Sequence, residues 1–154
     1  MYSRVAILSV AITTNIALCT SLVTTQQGAA HDPSVPVLPL TSDAALITIL
    51  IKPDKTADFE LVLSKLKQAL QHSDKPERKR QAAGWTVFKS SQPVHGNTVY
   101  IMRIEPVVKG EEYDITRLIA EVFPVEVQEI FSKYRDAFAG RAITELTPVM
   151  EMAR

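Results

Sequence analysis

Apolar residues recur along the chain with two different periods, and each change of period predicts a new element. Ala45 to Ile51 (ALITILI) is a short β-branched run bounded by Pro53, which is typical of a strand. From Thr56 to Gln71, apolar residues recur every three or four positions, which predicts an amphipathic helix. The apolar face of this helix consists of Phe59, Val62, Leu63, Leu66 and Leu70. We expect Thr56 to cap it, because a threonine hydroxyl can accept from a first-turn backbone N–H.

The middle of the chain predicts a short helix followed by a hairpin. Asp74 and Glu77 have the spacing of a capping box, and Gly84 suits the end of a helix. Strands are predicted at Trp85 to Lys89 (WTVFK) and at Thr98 to Glu105 (TVYIMRIE). The loop between them contains proline, glycine and asparagine, so the two strands should pair as neighbours.

The last third of the chain predicts two helices and a closing strand. Asp114 should cap a helix that runs to about Val122. Pro124 should open the next helix, which Gly140 ends. The apolar face of that helix is predicted to be Val127, Phe131, Tyr134 and Phe138. A final strand is predicted from Ile143 to Met152.

This order of elements predicts an α+β fold of the ferredoxin-like, split βαβ type, with a four-stranded antiparallel sheet and helices on one face. A sheet covered on one side should alternate apolar and polar residues. The first strand instead places Ile47 and Ile49 on one face and Leu46 and Leu50 on the other. A second copy of the sheet would cover the second face, because twofold homodimers are the commonest oligomers. The alternative is a monomer whose linker or C-terminal tail folds over that face.

The first thirty residues differ in composition from the rest. Arg4 is their only charged residue, and Val5 to Leu18 has the length of a signal-peptide apolar core. That run is shorter than the roughly 20 apolar residues of a membrane span. The small residues of Gly28-Ala29-Ala30 predict cleavage after Ala30. The sequence therefore divides into a signal peptide at 1–30, a proline-rich linker at 31–43 and a folded domain at 44–154.

This organisation predicts a periplasmic or secreted protein with no stable membrane insertion after cleavage. The alternative is a protein anchored to the membrane through an uncleaved signal or through a lipid on Cys19. Leu18 is a poor match to the small residue that precedes a lipidated cysteine. Cys19 is the only cysteine, so cleavage after Ala30 would leave no disulfide, no thiol nucleophile and no cysteine-based metal site.

Charge argues against a polyanionic partner. The chain has 17 basic and 17 acidic residues, so no global field would attract nucleic acid. The local exception is Lys75 to Arg80, where four of six residues are basic. No aromatic residue is interleaved with them, as nucleic-acid binding would require. We interpret this run as the surface of a solvated helix and expect no nucleic-acid partner.

Several tracts give the chain a family resemblance. Its element order, its two-faced strands and the tract VFPVEVQEIFSKYRDAFAG resemble the dimeric α/β-barrel superfamily, which includes antibiotic-biosynthesis-monooxygenase-like proteins. The tracts QAAGW, WTVFK and VYIMRIEPV are similar to a group of small exported bacterial proteins of unassigned function. The superfamily resemblance implies a homodimer in which two sheets form a barrel, with a pocket between each sheet and its helices.

Four residues are candidates for that pocket: His72, Trp85, Tyr100 and Arg103. His72 could act as a general base near neutral pH, or could interact favourably with the dipole at a helix C-terminus. Trp85 could stack on a flat ligand or fill the core, and the Tyr100 hydroxyl could orient a ligand or pack at an interface. Arg103 could bind an anion, or could pair with Glu105, two residues along on the same side of the strand.

The sequence thus predicts an exported protein that binds a small, partly apolar molecule, and it assigns no reaction. The alternatives are a cofactor-free oxygenase or isomerase that uses the same pocket, and a structural or protein-interaction module. We expect no metal site, because the histidines have no metal-ligand spacing. We also expect no cofactor. Haem-degrading members of the dimeric α/β-barrel superfamily use an asparagine on the first strand. The first strand here, ALITILI, has no asparagine, which argues against haem as a ligand.

Haemin is expected not to bind specifically, because that asparagine is missing from the first strand. Titrating the protein with haemin should leave the Soret band where it lies for haemin alone in the same buffer. A haem-binding protein titrated in parallel provides the positive control. A stoichiometric shift of the band would contradict the prediction. His72 and Trp85 would then be the candidate haem contacts, because haem-degrading members of the superfamily also use a histidine and a tryptophan.

Overall fold

The fold combines one sheet with four α-helices in the part of the chain that the structure, a computed structural model, describes: residues 35–150 and Met152. The elements are β1 (Ala44–Ile51), α1 (Thr56–His72), α2 (Pro76–Gly84), β2 (Trp85–Lys89), β3 (Thr98–Ile104), α3 (Ile115–Val122), α4 (Val127–Ala137) and β4 (Phe138–Leu146). The α+β class with a four-stranded antiparallel sheet is therefore confirmed. The predicted signal segment, its cleavage position after Ala30 and Cys19 lie outside the described residues.

The sheet has the strand order β2-β3-β1-β4, and each neighbouring pair is antiparallel. Strand β1 is central, so Ile49 lies opposite Tyr100 of β3 on one side and Arg141 of β4 on the other. Helices α1 and α2 connect β1 to β2, and α3 and α4 connect β3 to β4. Because β3 lies between β1 and β2, the first helical connection crosses over one strand.

The core lies between the helices and one face of the sheet. Burial alternates along β1, and the buried positions Ala45, Ile47, Ile49 and Ile51 are at most 2% exposed. Phe59, Val62 and Leu66 of α1 belong to the same core, as the helical period of the sequence predicts. From α4, Ile130 and Ala137 enter the core, whereas Phe131 is exposed. The predicted apolar face of α4 is therefore wrong at Phe131, and also at Phe138, which belongs to β4 and is exposed.

Two of the three predicted helix caps are wrong. A 3₁₀ turn precedes α1, so Thr56 is already helical and the position before it, Lys55, provides no side-chain cap. Helix α2 likewise begins after Lys75 rather than after Asp74, again with no side-chain cap. Asp114 does cap α3, and its Oδ1 accepts hydrogen bonds from the backbone N–H groups of the second and third residues of the helix at 3.0 and 3.1 Å.

Gly84 ends α2 for a reason that the sequence does not show. A Cβ at this position would lie 2.7 Å from the Pro106 carbonyl oxygen, which is closer than backbone atoms tolerate. The Gly84 carbonyl also accepts from the Glu105 N–H at 2.8 Å. The glycine therefore permits a close approach between α2 and the end of β3, and this contact fixes where β2 begins.

Strand β4 begins at Phe138, directly after α4, rather than at Ile143. It ends at Leu146, so the predicted C-terminal half of the strand is wrong. Pairing with β1 explains the shift, because Phe138 lies opposite Ile51 after an irregularity in register at Leu50 and Ile51. Gly140 is inside the strand rather than at a helix end.

The proline-rich segment is held against the domain. Glu112 accepts hydrogen bonds from the backbone N–H groups of Val37 and Leu38 at 2.8 and 3.0 Å. Leu40 is 1% exposed and belongs to the hydrophobic core. Packing therefore begins before Ala44, within the segment that the sequence analysis assigns to a linker.

One member of the basic run is buried, which corrects the interpretation of that run as wholly solvated. Arg78 is 4% exposed, and its guanidinium donates to Glu121 through Nε at 3.0 Å and through Nη2 at 2.7 Å. Its Nη1 donates to Gln81 at 2.8 Å and to Glu111 at 2.9 Å. Lys79 and Arg80 are exposed, as predicted. Arg78 therefore ties α2 to α3 and to the loop before it.

Arg78→Ala is expected to destabilise the fold by about 3 kcal/mol, because it removes four hydrogen bonds, to Glu111, Glu121 and the buried Gln81. The neighbouring substitution Lys79→Ala should change the free energy of unfolding by no more than about 0.5 kcal/mol. Chemical denaturation of both variants measures the difference. Equal stability of the two variants would show that the Arg78 contacts do not support the fold.

Candidate functional site

A half-open groove lies between α1, α2 and β2. Its volume is about 550 Å³, which lies within the range of small-molecule sites. The apolar part of its lining consists of Leu63, Leu66, Leu70, Ala82, Trp85 and Val87. The polar part consists of Glu60, Ser64, Lys67, Gln71 and Thr86. The groove therefore has an apolar floor with polar groups along it.

The spacing of these residues along the sequence determines which side of its helix or strand each one occupies. Glu60, Ser64, Lys67 and Gln71 follow one another along α1 at spacings of four, three and four, so they form one polar stripe. On β2, Trp85 and Val87 are two apart and lie on the helix side of the sheet. The close approach at Gly84 brings the start of β2 against α2. Trp85, the first residue of β2, therefore lies in the lining of the groove.

Trp85 connects the groove to the core. Its ring lies against Tyr113, with ring centroids 5.5 Å apart and a tilt of 48°. Its Nε1–H is buried and has no acceptor among the described residues. The sequence left open whether Trp85 fills the core or lines a pocket, and in the structure it does both.

A polar cluster closes the end of the groove at Glu60. The Tyr100 hydroxyl donates to Glu60 Oε1 at 2.7 Å, and Lys89 Nζ donates to the same oxygen at 2.8 Å. Lys89 lies directly opposite Tyr100 across β2 and β3, and its ammonium lies 5.7 Å from the centre of the Tyr100 ring. Three elements, α1, β2 and β3, thus meet at one carboxylate oxygen.

These contacts shift the pKa values of the cluster in directions that keep its charges fixed. The hydrogen bonds from Lys89 and Tyr100 lower the pKa of Glu60, and the bond to Glu60 raises the pKa of Lys89. Burial and the neighbouring Glu60 carboxylate raise the pKa of Tyr100. Near neutral pH, Glu60 is therefore ionised, Lys89 is charged and Tyr100 keeps its proton.

The other two candidates from the sequence lie away from the groove. His72 is the last residue of α1 and is exposed to solvent. Arg103 lies opposite Leu46 and Thr86, on the sheet face that the helices do not cover. Its side chain is 53% exposed and lies 3.7 Å from a Glu105 carboxylate oxygen. Of the four candidates, only Trp85 lines the groove. Tyr100 lies beneath the lining and contacts it through Glu60, and His72 and Arg103 lie outside it.

The face of the sheet opposite the helices carries a band of apolar residues. Cross-strand pairing places Phe88 and Thr48 on either side of Ile101, so the three share this face. Phe88 is 50% exposed, and Ile101 is partly exposed. The strand alternation adds Leu46, Leu50, Ala142 and Leu146 to the band. Apolar residues thus occupy both faces, as the sequence predicts, but this second face is only partly buried in a single chain.

A second cleft, of about 650 Å³, lies beside Arg78 and is lined mainly by charged residues. Its charges pair with one another: Arg78 with Glu111 and Glu121, and Arg117 with Glu112. Burial opposes ionisation of Glu112, but backbone N–H groups, including those of Val37 and Leu38, lower its pKa. This cleft therefore supports the fold and attaches the proline-rich segment.

Neither a metal-binding cluster nor a membrane-spanning helix occurs in the described part of the chain. Within residues 35–150, no three His, Cys, Asp or Glu side chains are grouped closely enough to hold a metal ion. No helix in that range has both the length and the apolar composition that crossing a membrane requires. Comparisons of the chain with protein-family models, with curated proteins and with solved structures found no match.

Three polar residues were not among the candidates from the sequence: Glu60 and Lys67, which line the groove, and Lys89, which donates to Glu60. In the sequence, Glu60 is one acidic residue near the start of a predicted helix, where the helix dipole favours acids. The hairpin pattern contained a usable signal, because its register places Lys89 opposite Tyr100. The contact between that pair and Glu60 depends on how α1 packs over the sheet, and no local pattern encodes it.

Glu60→Gln is expected to lower the pKa of the Tyr100 hydroxyl, because the substitution removes a neighbouring negative charge that raises this pKa in the parent. A pKa that is raised in the folded state stabilises the protein below pH 10, and this contribution is lost as the pH rises through the folded-state value. Carbon NMR of the tyrosine ring measures the titration directly. Glu129→Gln on α4 is the matched control, and an equal shift in both variants would contradict the assignment.

Proposed function

We propose that this chain is an exported protein that binds a small, partly apolar molecule in the groove between α1, α2 and β2. In this proposal, the domain is ferredoxin-like, and two copies pair their sheets as a dimeric α/β barrel. Trp85 lines the binding site, and Tyr100 supports it through Glu60.

The groove is the observation that carries the proposal. Its volume of about 550 Å³ suits a small molecule, and its floor of leucine, valine and tryptophan side chains offers apolar contact. A ligand there would remove this apolar surface from water, and burial contributes roughly 25 cal/mol per Å². The polar stripe of α1 would then fix the orientation of the ligand.

Strand order supports the fold assignment, and the second sheet face supports the dimer. The order β2-β3-β1-β4, with a helical crossover around β3, is what a split βαβ arrangement requires. The apolar band around Phe88 and Ile101 is partly exposed, and such bands usually mark interfaces. The same band on a second copy of the chain could pack against it, since a twofold axis brings the same surface of both copies together.

The alternative proposal is a cofactor-free oxygenase or isomerase that uses the same groove. A general base or acid would need to face the ligand. His72 lies at the exposed end of α1, outside the groove lining, and the Tyr100 hydroxyl points its proton at Glu60. Binding without catalysis is therefore the proposal that the geometry favours.

Native mass spectrometry of the chain recovered from an exporting host is the test. The expected species is a dimer that carries extra mass from a bound molecule. Ser64→Trp should fill the groove and abolish the extra mass while leaving the dimer intact. Gln128→Trp on the exposed side of α4 is the control for the added ring. An empty groove under all ionisation conditions, with Ser64→Trp indistinguishable from the parent, would contradict binding at this site.

The dimer is tested separately at the uncovered sheet face. Ile101→Glu should yield a monomer, because pairing would bury an unpartnered carboxylate. Val125→Glu, at a position that is 92% exposed, is the control and should leave the dimer unchanged. A dimer that persists in Ile101→Glu would place the interface elsewhere.

A further inference from the structure

The groove contains two formal charges, and only one of them is paired. Glu60 accepts from both Lys89 and Tyr100 at 2.8 and 2.7 Å. Lys67 makes neither a hydrogen bond nor a salt bridge with any residue from 35 to 150. By contrast, Lys65, two residues earlier on α1, pairs with Glu126. Among the described residues, the groove charge without a protein partner is therefore the positive one, on the exposed Lys67.

Position along α1 separates the two charges. Lys67 follows Glu60 by seven residues, so the two lie about 10 Å apart along the same face of the helix at 1.5 Å per residue. Ser64 lies between them and carries no charge. An anion held by Lys67 would therefore lie well away from the Glu60 carboxylate, and repulsion between the two would be screened by water and salt.

The floor beside Lys67 is apolar. Leu63, Leu66 and Leu70 lie on α1 within one turn of Lys67, and Trp85 faces them from β2. A lysine stem can lie along such apolar surface while its ammonium stays in water. An apolar ring or chain of a ligand could therefore contact the groove floor. A single negative charge on the same ligand could pair with the Lys67 ammonium at the rim.

We infer that the ligand class of this groove is an amphipathic monoanion, with an apolar ring or chain on the Trp85 floor and its anionic group on the Lys67 ammonium. This inference rests on the proposed binding function and adds to it the charge of the ligand. Lys67 acts as the specificity-determining residue, and Glu60 lies about two turns away along the same stripe of α1.

Two fluorescent probes with the same ring system test the inference. Anilinonaphthalene sulfonate is an amphipathic monoanion, and N-phenylnaphthylamine is its neutral counterpart. The parent chain should bind both probes and should bind the anion more tightly at low ionic strength. Added salt should reduce this preference, because the charge at the rim is accessible to solvent.

Substitutions at Lys67 should show how much of the binding of the anionic probe depends on its charge and how much on apolar contact. Lys67→Gln is expected to weaken binding of the anionic probe about threefold to fivefold, since ion pairs at exposed positions contribute modestly. Lys67→Glu should weaken it further, and neither change should affect the neutral probe. Lys79→Gln is the matched control, because Lys79 is also an exposed lysine without a salt bridge but lies on α2 outside the groove lining.

The outcomes distinguish the two proposals. A groove that binds the neutral probe, loses it in Ser64→Trp and shows no anion preference would overturn the inference while leaving the proposed function standing. Equal losses of the anionic probe in Lys67→Gln and Lys79→Gln would also overturn it, because net charge alone would then explain the effect. Binding of neither probe, or binding that Ser64→Trp leaves unchanged, would overturn both proposals.

Discussion

The buried guanidinium of Arg78 is the interaction on which the arrangement of the helical layer depends. It donates to Glu121 on α3, to Glu111 in the preceding loop and to Gln81 within α2. Gln81 then donates to the Glu112 carbonyl at 2.8 Å, and the Glu112 carboxylate holds the backbone of the proline-rich segment. One continuous polar network thus joins α2, α3, the connecting loop and the N-terminal approach to the sheet. A charge this deeply buried is tolerated only when its hydrogen-bonding capacity is used, and here the three guanidinium nitrogens make four hydrogen bonds.

The same network positions the groove. Because Arg78 and Gln81 fix the inner side of α2, Gly84 is brought against the Pro106 carbonyl, and β2 must begin at the next residue. Trp85 is then the first residue of the strand and packs between Tyr113 and the leucines of α1. The position of Trp85 in the groove floor therefore depends on the polar contacts that hold α2. This dependence makes the groove a property of the helical layer as a whole, and not of α1 alone.

The sequence predicted the elements whose signals are local. The apolar run of β1, the helical period of α1 and the Asp114 cap all depend on neighbours within a few residues, and the structure confirms each of them. Arg78 could not be predicted in the same way, because α2 has no apolar stripe and its partners lie 33 and 43 residues away. The start of β4 failed for a related reason, since its pairing with β1 decides which residues of an apolar C-terminal tract become strand. For the site, Trp85 was recognisable as the only tryptophan of the chain, whereas Glu60 and Lys67 looked like ordinary surface positions of an amphipathic helix.

Strand β2 contributes to both proposed binding surfaces, the groove and the uncovered sheet face, through different residues. Its odd-numbered residues Trp85 and Val87 lie on the helix side with the groove floor, and Phe88 lies on the uncovered face beside Ile101. Pairing of two sheets through the uncovered face would bury Phe88 and leave the groove open to solvent between the helices and the sheet edge. A ligand in the groove and a second copy on the sheet would therefore each bury a different set of apolar residues from the same short strand. The two proposed contacts together would account for a strand that is apolar on both faces although it lies at the edge of the sheet, where polar residues on one face are otherwise expected.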